Sequence, residues 1–81
     1  MKCTLVGKEM VSYKSKDTGE SRKMLILHVT RTTSRCQGIA TDQVRVFSGQ
    51  ECFGRASDMP LDNAISIDYN QRGLVEDVEL L

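Results

Sequence analysis

Long apolar runs are missing from this sequence, which argues against a membrane-spanning helix. No stretch approaches the roughly 20 consecutive apolar residues that such a helix needs. The residues before Lys8 form an apolar stretch that is too short for a secretory signal peptide. We therefore expect a cytoplasmic protein that does not bind a membrane.

Cysteine and histidine are scarce, and both scarcities limit the chemistry. The three cysteines, Cys3, Cys36 and Cys52, are odd in number and widely spaced, so they favour a reducing compartment over a disulfide framework. His28 is the only histidine, and the chain has no Cys-x-x-Cys pair. Because a metal site needs several such ligands at short spacing, we predict no metal and no other cofactor.

Enzyme motifs are also lacking. Asp17-Thr18-Gly19 matches the signature tripeptide of aspartic proteases, in which the catalytic Asp has apolar surroundings and a second Asp beside it. Here the tripeptide lies in a polar turn between Lys16 and Glu20. The chain has neither a nucleophile elbow nor a phosphate-binding glycine loop. We predict no enzymatic activity and no small-molecule substrate.

The formal net charge is zero, but the charges are unevenly distributed. Residues 1–49 carry nine Lys and Arg against four Asp and Glu, a net charge of +5. Residues 50–81 carry two against seven, a net charge of −5. Such asymmetry indicates one part that faces a polyanion and one acidic part. The alternative is that folding mixes the two halves on the surface.

The pattern that is present is β-like. Short runs of apolar and polar residues are separated by turn-forming residues, and helical periodicity is lacking almost throughout. The predicted strands are Lys2–Tyr13, Arg22–Thr32, Gln43–Phe47, Ala64–Tyr69 and Leu74–Leu81. A chain of this length forms a single domain, residues 1–81, whose thin core would make self-association a natural supplement.

The order of these strands favours an all-β fold, a five-stranded OB-like Greek-key barrel. A long hairpin comes first, then a single strand, and last a hairpin whose turn is Asn70–Gly73. The longest irregular stretch, Ser48–Pro60, falls between the third and fourth strands, where an OB barrel has its long connection. A short helix fits at Cys52–Ala56. An SH3-like barrel or an open meander is compatible with the same pattern.

The layout resembles the small OB-fold single-stranded DNA-binding proteins of the filamentous-phage helix-destabilising type. The resemblance rests on the basic hairpin tip with Thr18-Gly19 and on the segments Ile65–Tyr69 and Arg72–Leu80. It implies single-stranded DNA binding by a homodimer, in replication or transfer of a phage or mobile element. The chain departs from this family at Ser21–Met24, which lacks the aromatic residue that the family has after the hairpin tip.

A basic hairpin and an Arg–Phe pair are the candidate contacts to nucleic acid. Single-strand binders combine cations that track phosphates with flat side chains on which bases stack. Arg45 and Phe47 share one face of their strand if the valines beside them point into the core. Phe53 and Tyr69 are predicted to pack in the core or in a dimer contact. The predicted binding residues are Tyr13, Lys14, Lys16, Arg22, Lys23, Arg31, Arg45 and Phe47.

The predicted function is therefore sequence-independent binding of single-stranded DNA. The alternative is a protein-interaction module that binds its partner through an exposed strand edge. The zero net charge and the total of four aromatic residues favour this alternative. The basic first half, the hairpin and the Arg45–Phe47 pair favour nucleic acid.

Overall fold

The computed structural model describes residues 1–81 and contains five strands and one short helix. The strands are β1 (Lys2–Lys14), β2 (Ser21–Arg31), β3 (Ala40–Phe47), β4 (Asn63–Tyr69) and β5 (Val75–Leu80), and the helix is α1 (Phe53–Ser57). All strand pairs are antiparallel, so the predicted all-β class is confirmed. No helix in the structure has the length and apolar character that crossing a membrane requires.

The strands form one sheet in the order β3-β2-β1-β4-β5. β1 is central because residues 2–5 pair with β4 and residues 4–14 pair with β2. The edge strands β3 and β5 come close to each other, but they do not pair through backbone hydrogen bonds. The sheet therefore has the predicted five strands without being closed, and α1 lies in the long connection between β3 and β4.

A bulge in β1 changes which of its alternate side chains point toward the core. Leu5 pairs with Val29, but the next pair is Gly7 with His28, so Val6 is the extra residue. The bulge shifts the alternation by one residue, and even-numbered residues of β1 share the core side after it. At about 3.3 Å per residue, β1 alone is nearly as long as the 43 Å long axis of the molecule.

The core consists of 14 buried side chains, and all of them are hydrophobic, with cysteine counted among the hydrophobic residues. In β2, Leu25, Leu27 and Val29 are buried while the residues between them are only partly buried. Such alternation is typical of a strand with one face on the core. Phe53 of α1 is partly buried and packs against the core, in agreement with the prediction.

Lys8 joins the α1 connection to the sheet. Its Nζ donates hydrogen bonds to the carbonyl oxygen of Ser57 at 2.8 Å and to that of Met59 at 2.7 Å. Both carbonyls lie at or just after the end of α1, where main-chain acceptors lack a helical partner. One of the basic residues of the first half therefore has a structural role.

The faces of β5 differ from the prediction. Simple alternation along the predicted strand places Leu74 on the same face as Val78 and Leu80, and for Leu74 this is wrong. Val75 and Val78 are the buried residues of this segment, and Leu74 and Leu80 are exposed. The pairing of β4 with β5 is irregular and leaves Glu76 as an extra residue. Beyond such a bulge, the residues that face the core and those that face solvent exchange places in the alternation.

Candidate nucleic-acid interface

The outer face of β1, β2 and β3 carries a set of neighbouring apolar side chains. Val11 lies opposite Met24, and Met24 lies opposite Phe47, so the three form a row across the sheet. Tyr13 and Ile26 flank this row on the same face. All five are partly buried on the side of the sheet away from the core. We call Val11, Tyr13, Met24, Ile26 and Phe47 the outer platform.

Two of the four aromatic rings meet on the outer platform. The ring centroids of Tyr13 and Phe47 are 6.3 Å apart and their planes make an angle of 75°, an edge-to-face contact. Phe47 points outward because Val44 and Val46 occupy the core positions of β3. The structure thus places Phe47 on the face that the alternation of β3 predicts, and it brings Tyr13 to the same place.

Arg22 and Arg45 border the outer platform. Arg22 lies opposite Tyr13 and Arg45 lies opposite Ile26, so both guanidinium side chains leave the sheet on its outer face. Both residues are exposed. Cations beside apolar and aromatic side chains can bind phosphates while bases lie on the rings.

The other predicted cations lie elsewhere. Lys14 and Lys23 point to the reverse side of the hairpin, and Lys16 lies in its turn. Arg31 is at the far end of β2, where it borders a separate depression with Lys2. The eight predicted residues therefore do not form one surface, since four share the outer face, three occupy the reverse side and tip of the hairpin, and one is remote.

Ion pairing leaves the predicted cations free. The structure contains one ion pair between an Arg or Lys and an acid, Arg55–Asp77 at 3.0 Å, and a His28–Glu9 side-chain hydrogen bond at 2.8 Å. Neither pair includes any of the eight predicted residues. The positive charges of the hairpin and of Arg45 are therefore available to an anion from outside the chain.

The acids of the second half gather on a different part of the molecule. Glu51, Asp68, Glu76 and Asp77 line one depression beside α1 and the β4–β5 hairpin, with Arg55 as its only cation. The outer platform and the basic hairpin belong to β1, β2 and β3. Four of the seven acids of the second half therefore line a depression that shares no residue with the outer platform.

The buried cysteines do not have the character of reactive thiolates. Burial is the main cause that raises the pKa of the Cys3 thiol and that of the Cys52 thiol. A thiol with a raised pKa is a poor nucleophile at neutral pH. No group of three or more His, Cys, Asp or Glu residues is arranged to hold a metal ion.

A cleft of about 340 Å³ opens between β3 and the turn that joins β4 to β5. Arg45 and Phe47 belong to one side of it, and Tyr69 and Leu74 belong to the other. The cleft lies where the two edge strands do not pair, and we call it the seam cleft. Because Phe47 belongs to both, the outer platform continues into the seam cleft.

Tyr69 is exposed, although its alternation with Ile65 and Ile67 predicts a ring packed inward. The residue is 43% exposed. It is the last residue of β4, where the open seam leaves the ring partly uncovered. Desolvation raises the pKa of its hydroxyl, and the nearby Asp42 carboxylate raises it further. A tyrosine phenol is protonated at neutral pH even at its ordinary pKa, so this hydroxyl can donate a hydrogen bond.

Gln50 bridges the two edge strands through its side-chain amide. Its Oε1 accepts a hydrogen bond from the backbone N–H of Phe47 at 2.7 Å, and its Nε2 donates to the carbonyl oxygen of Val75 at 2.7 Å. Phe47 ends β3 and Val75 begins β5. The sequence carries no signal for this role, because an isolated glutamine in an irregular stretch is ordinarily a solvated residue.

Replacing Gln50 with alanine should destabilise the domain by about 1–3 kcal/mol, since it leaves two partly buried main-chain groups without their partner. Gln50→Glu keeps the acceptor for the Phe47 N–H and loses the donor to Val75, so we expect an intermediate or equal loss. Urea unfolding measures both. Gln71→Ala, at an exposed turn position, is the control and should stay within about 0.5 kcal/mol of the parent. A Gln50→Ala loss no larger than that of the control would contradict the bridging role.

No protein-family model matches this chain, and neither a curated protein nor a solved structure matches it.

Proposed function

We propose that this protein binds single-stranded DNA without sequence preference, on the outer platform and along the basic hairpin. The observation that carries the proposal is the Tyr13–Phe47 ring pair on an exposed sheet face, between two unpaired arginines, Arg22 and Arg45. Stacking surfaces and phosphate-binding cations are the two components of sequence-tolerant single-strand binding. The site has no arrangement of donors that would read a particular base sequence.

The fold supports the same proposal. We propose that the sheet is an OB-like barrel of the partly open kind, in which oligonucleotides bind to the face of strands 2 and 3 and to the loops after strands 1 and 4. The strand order and the position of α1 between β3 and β4 are consistent with that topology. Arg22, Arg45 and Phe47 lie on the face of β2 and β3, and the hairpin turn that contains Lys16 is the loop after β1.

The cellular setting and the assembly are proposals that come from the resemblance to the phage-type helix-destabilising proteins. We propose that the protein forms a homodimer, is located in the cytoplasm, and acts in replication or transfer of a phage or mobile element. We propose no catalytic activity, because the outer platform has no nucleophile with a base beside it. Light scattering at two protein concentrations distinguishes the dimer from the monomer.

The second candidate function is binding of a protein partner through a strand edge. The β5 edge favours it, because this edge is unpaired in the sheet and carries the exposed Leu80. An extended peptide can add a strand to such an edge through main-chain hydrogen bonds. Glu76, Asp77 and Glu79 lie along β5, so this edge suits a protein partner better than it suits a phosphate backbone.

A fluorescence-anisotropy titration with a labelled oligo-dT of about 30 nucleotides tests the proposal, because OB folds occupy about 4–16 nucleotides each. If four cations contact phosphates, the logarithm of the association constant should fall with the logarithm of the salt concentration with a slope of about −2.8. Affinity should then fall about 50-fold between about 50 and 200 mM salt. No binding at the lower salt concentration would refute the proposal and favour the protein-partner function.

A further inference from the structure

The seam cleft differs in chemistry from the other depressions on the surface. Phe47, Tyr69 and Leu74 give it aromatic and aliphatic walls, with Val44 and Val75 from the two edge strands. Arg45 is its only charged lining residue. By contrast, the depression beside α1 is lined mainly by acids, and the one at Arg31 has two cations and no aromatic residue. The seam cleft therefore suits a flat, largely apolar group better than it suits a phosphate.

We propose that the seam cleft binds one unstacked base of the nucleic-acid strand, a subsite that rests on the proposed function. The ligand is a nucleobase, whose faces are apolar and whose edges carry hydrogen-bonding groups. Tyr69 and Leu74 provide one wall and Phe47 the other. Ring faces and aliphatic side chains bind any base in this way, so the subsite adds affinity without sequence preference.

The strand can reach the cleft directly from the outer platform. Phe47 belongs to both surfaces, and Arg45 stands at the boundary, where it can hold the phosphate of the nucleotide whose base enters the cleft. Tyr69 and Leu74 are 43% and 45% exposed, more than side chains that only support the core would be. A bound base would cover both.

The polar groups of the cleft suit the edges of a base. Gln43 lines the cleft with a side-chain amide that can donate and accept. The Tyr69 hydroxyl adds a hydrogen-bond donor that is protonated at neutral pH. The Gln50 bridge connects β3 to β5 and so sets the distance between the two walls.

A cycle that combines Tyr69→Ala with removal of the bases tests this subsite. Wild type and variant are titrated with oligo-dT and with an abasic oligonucleotide of the same length, which keeps the phosphates. We expect Tyr69→Ala to bind oligo-dT about 5- to 150-fold more weakly than wild type, the range for loss of one stacked base. The variant should bind the abasic oligonucleotide with an affinity within about 2-fold of that of wild type, because this ligand has no base for Tyr69 to contact. The non-additivity of the ring removal and the base removal measures the contact between Tyr69 and a base.

Three controls make the outcome specific. Tyr69→Phe should retain oligo-dT binding within a few-fold, since the ring face remains. Leu80→Ala removes an exposed leucine of β5 outside the cleft and should leave affinity unchanged. Thermal unfolding of each variant verifies that it is folded.

Two results would overturn the subsite, and they differ from failure of the proposed function. If wild type binds oligo-dT and Tyr69→Ala binds it equally well, the cleft holds no base while the outer platform remains the binding surface. An equal loss on oligo-dT and on the abasic oligonucleotide would likewise exclude a base contact. If wild type binds neither oligonucleotide, the proposed function fails and the subsite fails with it.

Discussion

Phe47→Ala should weaken binding to oligo-dT by about 1–3 kcal/mol, or roughly 5- to 150-fold. Phe47 lies opposite Met24, contacts the ring of Tyr13 and lines the seam cleft, so its removal takes away the ring shared by both parts of the surface. Anisotropy titration at fixed low salt measures the change. Because stacking is sequence-tolerant, the loss should be similar on oligo-dT and oligo-dA.

Matched arginine variants separate this surface from general loss of charge. Arg45→Ala should weaken binding and make the salt slope shallower by about 0.7, the share of one phosphate contact on a single strand. Arg55→Ala removes the same charge from the acidic side of the molecule, where Arg55 pairs with Asp77. Its salt slope should equal that of wild type. Equal effects of the two substitutions would show that only net charge matters and would contradict a site on the outer platform.

Leu27→Ala should lower the free energy of unfolding by about 2–5 kcal/mol, the usual cost of a leucine truncated in a core. Leu27 is 0% exposed and lies in β2, between β1 and β3. A domain of this size has a total stability of about 4–12 kcal/mol, so the loss is a large part of the whole. Thermal unfolding should show a midpoint lowered by at least about 8 °C.

Ile39→Ala is the control for this substitution. Ile39 is 69% exposed in the loop before β3, and truncation of such a surface residue should change stability by less than about 0.5 kcal/mol. A Leu27→Ala midpoint indistinguishable from that of Ile39→Ala would mean that β2 does not form the centre of the core.

The strands that alternate strongly were predictable from the sequence. Val44 and Val46 mark the core face of β3, and they also determine that Arg45 and Phe47 lie outside. The beginning of β3 was not predicted, because Ala40 and the two residues after it have no apolar alternation. These residues are in a strand because they pair with the end of β2.

Bulges account for the errors in side-chain placement. The irregularity at Glu76 places Val75, and not Leu74, on the core face that Val78 shares. Tyr69 alternates with the buried residues of β4, yet its ring lies at the open seam. Whether a sheet closes depends on the whole fold. The local sequence pattern shows neither where a bulge occurs nor whether the sheet closes.

The candidate site was predictable only in part. The Arg45–Phe47 pair followed from one strand, but the position of Tyr13 beside Phe47 depends on pairing across β2. The assignment of Lys14 to the reverse side of the hairpin follows from the bulge at Val6, and that of Lys23 follows from its alternation with Leu25 in β2. Long-range pairing and register therefore determine which predicted residues share a surface.

The central claim is that the outer platform is the nucleic-acid interface, and an NMR titration tests it most directly. Unlabelled oligo-dT is added to the 15N-labelled protein at low salt while the backbone amide signals are followed. We predict the largest chemical-shift changes at Tyr13, Arg22, Arg45 and Phe47, with little change in α1 or at the acidic residues of β5. Unchanged spectra, or changes confined to α1 and β5, would contradict the claim.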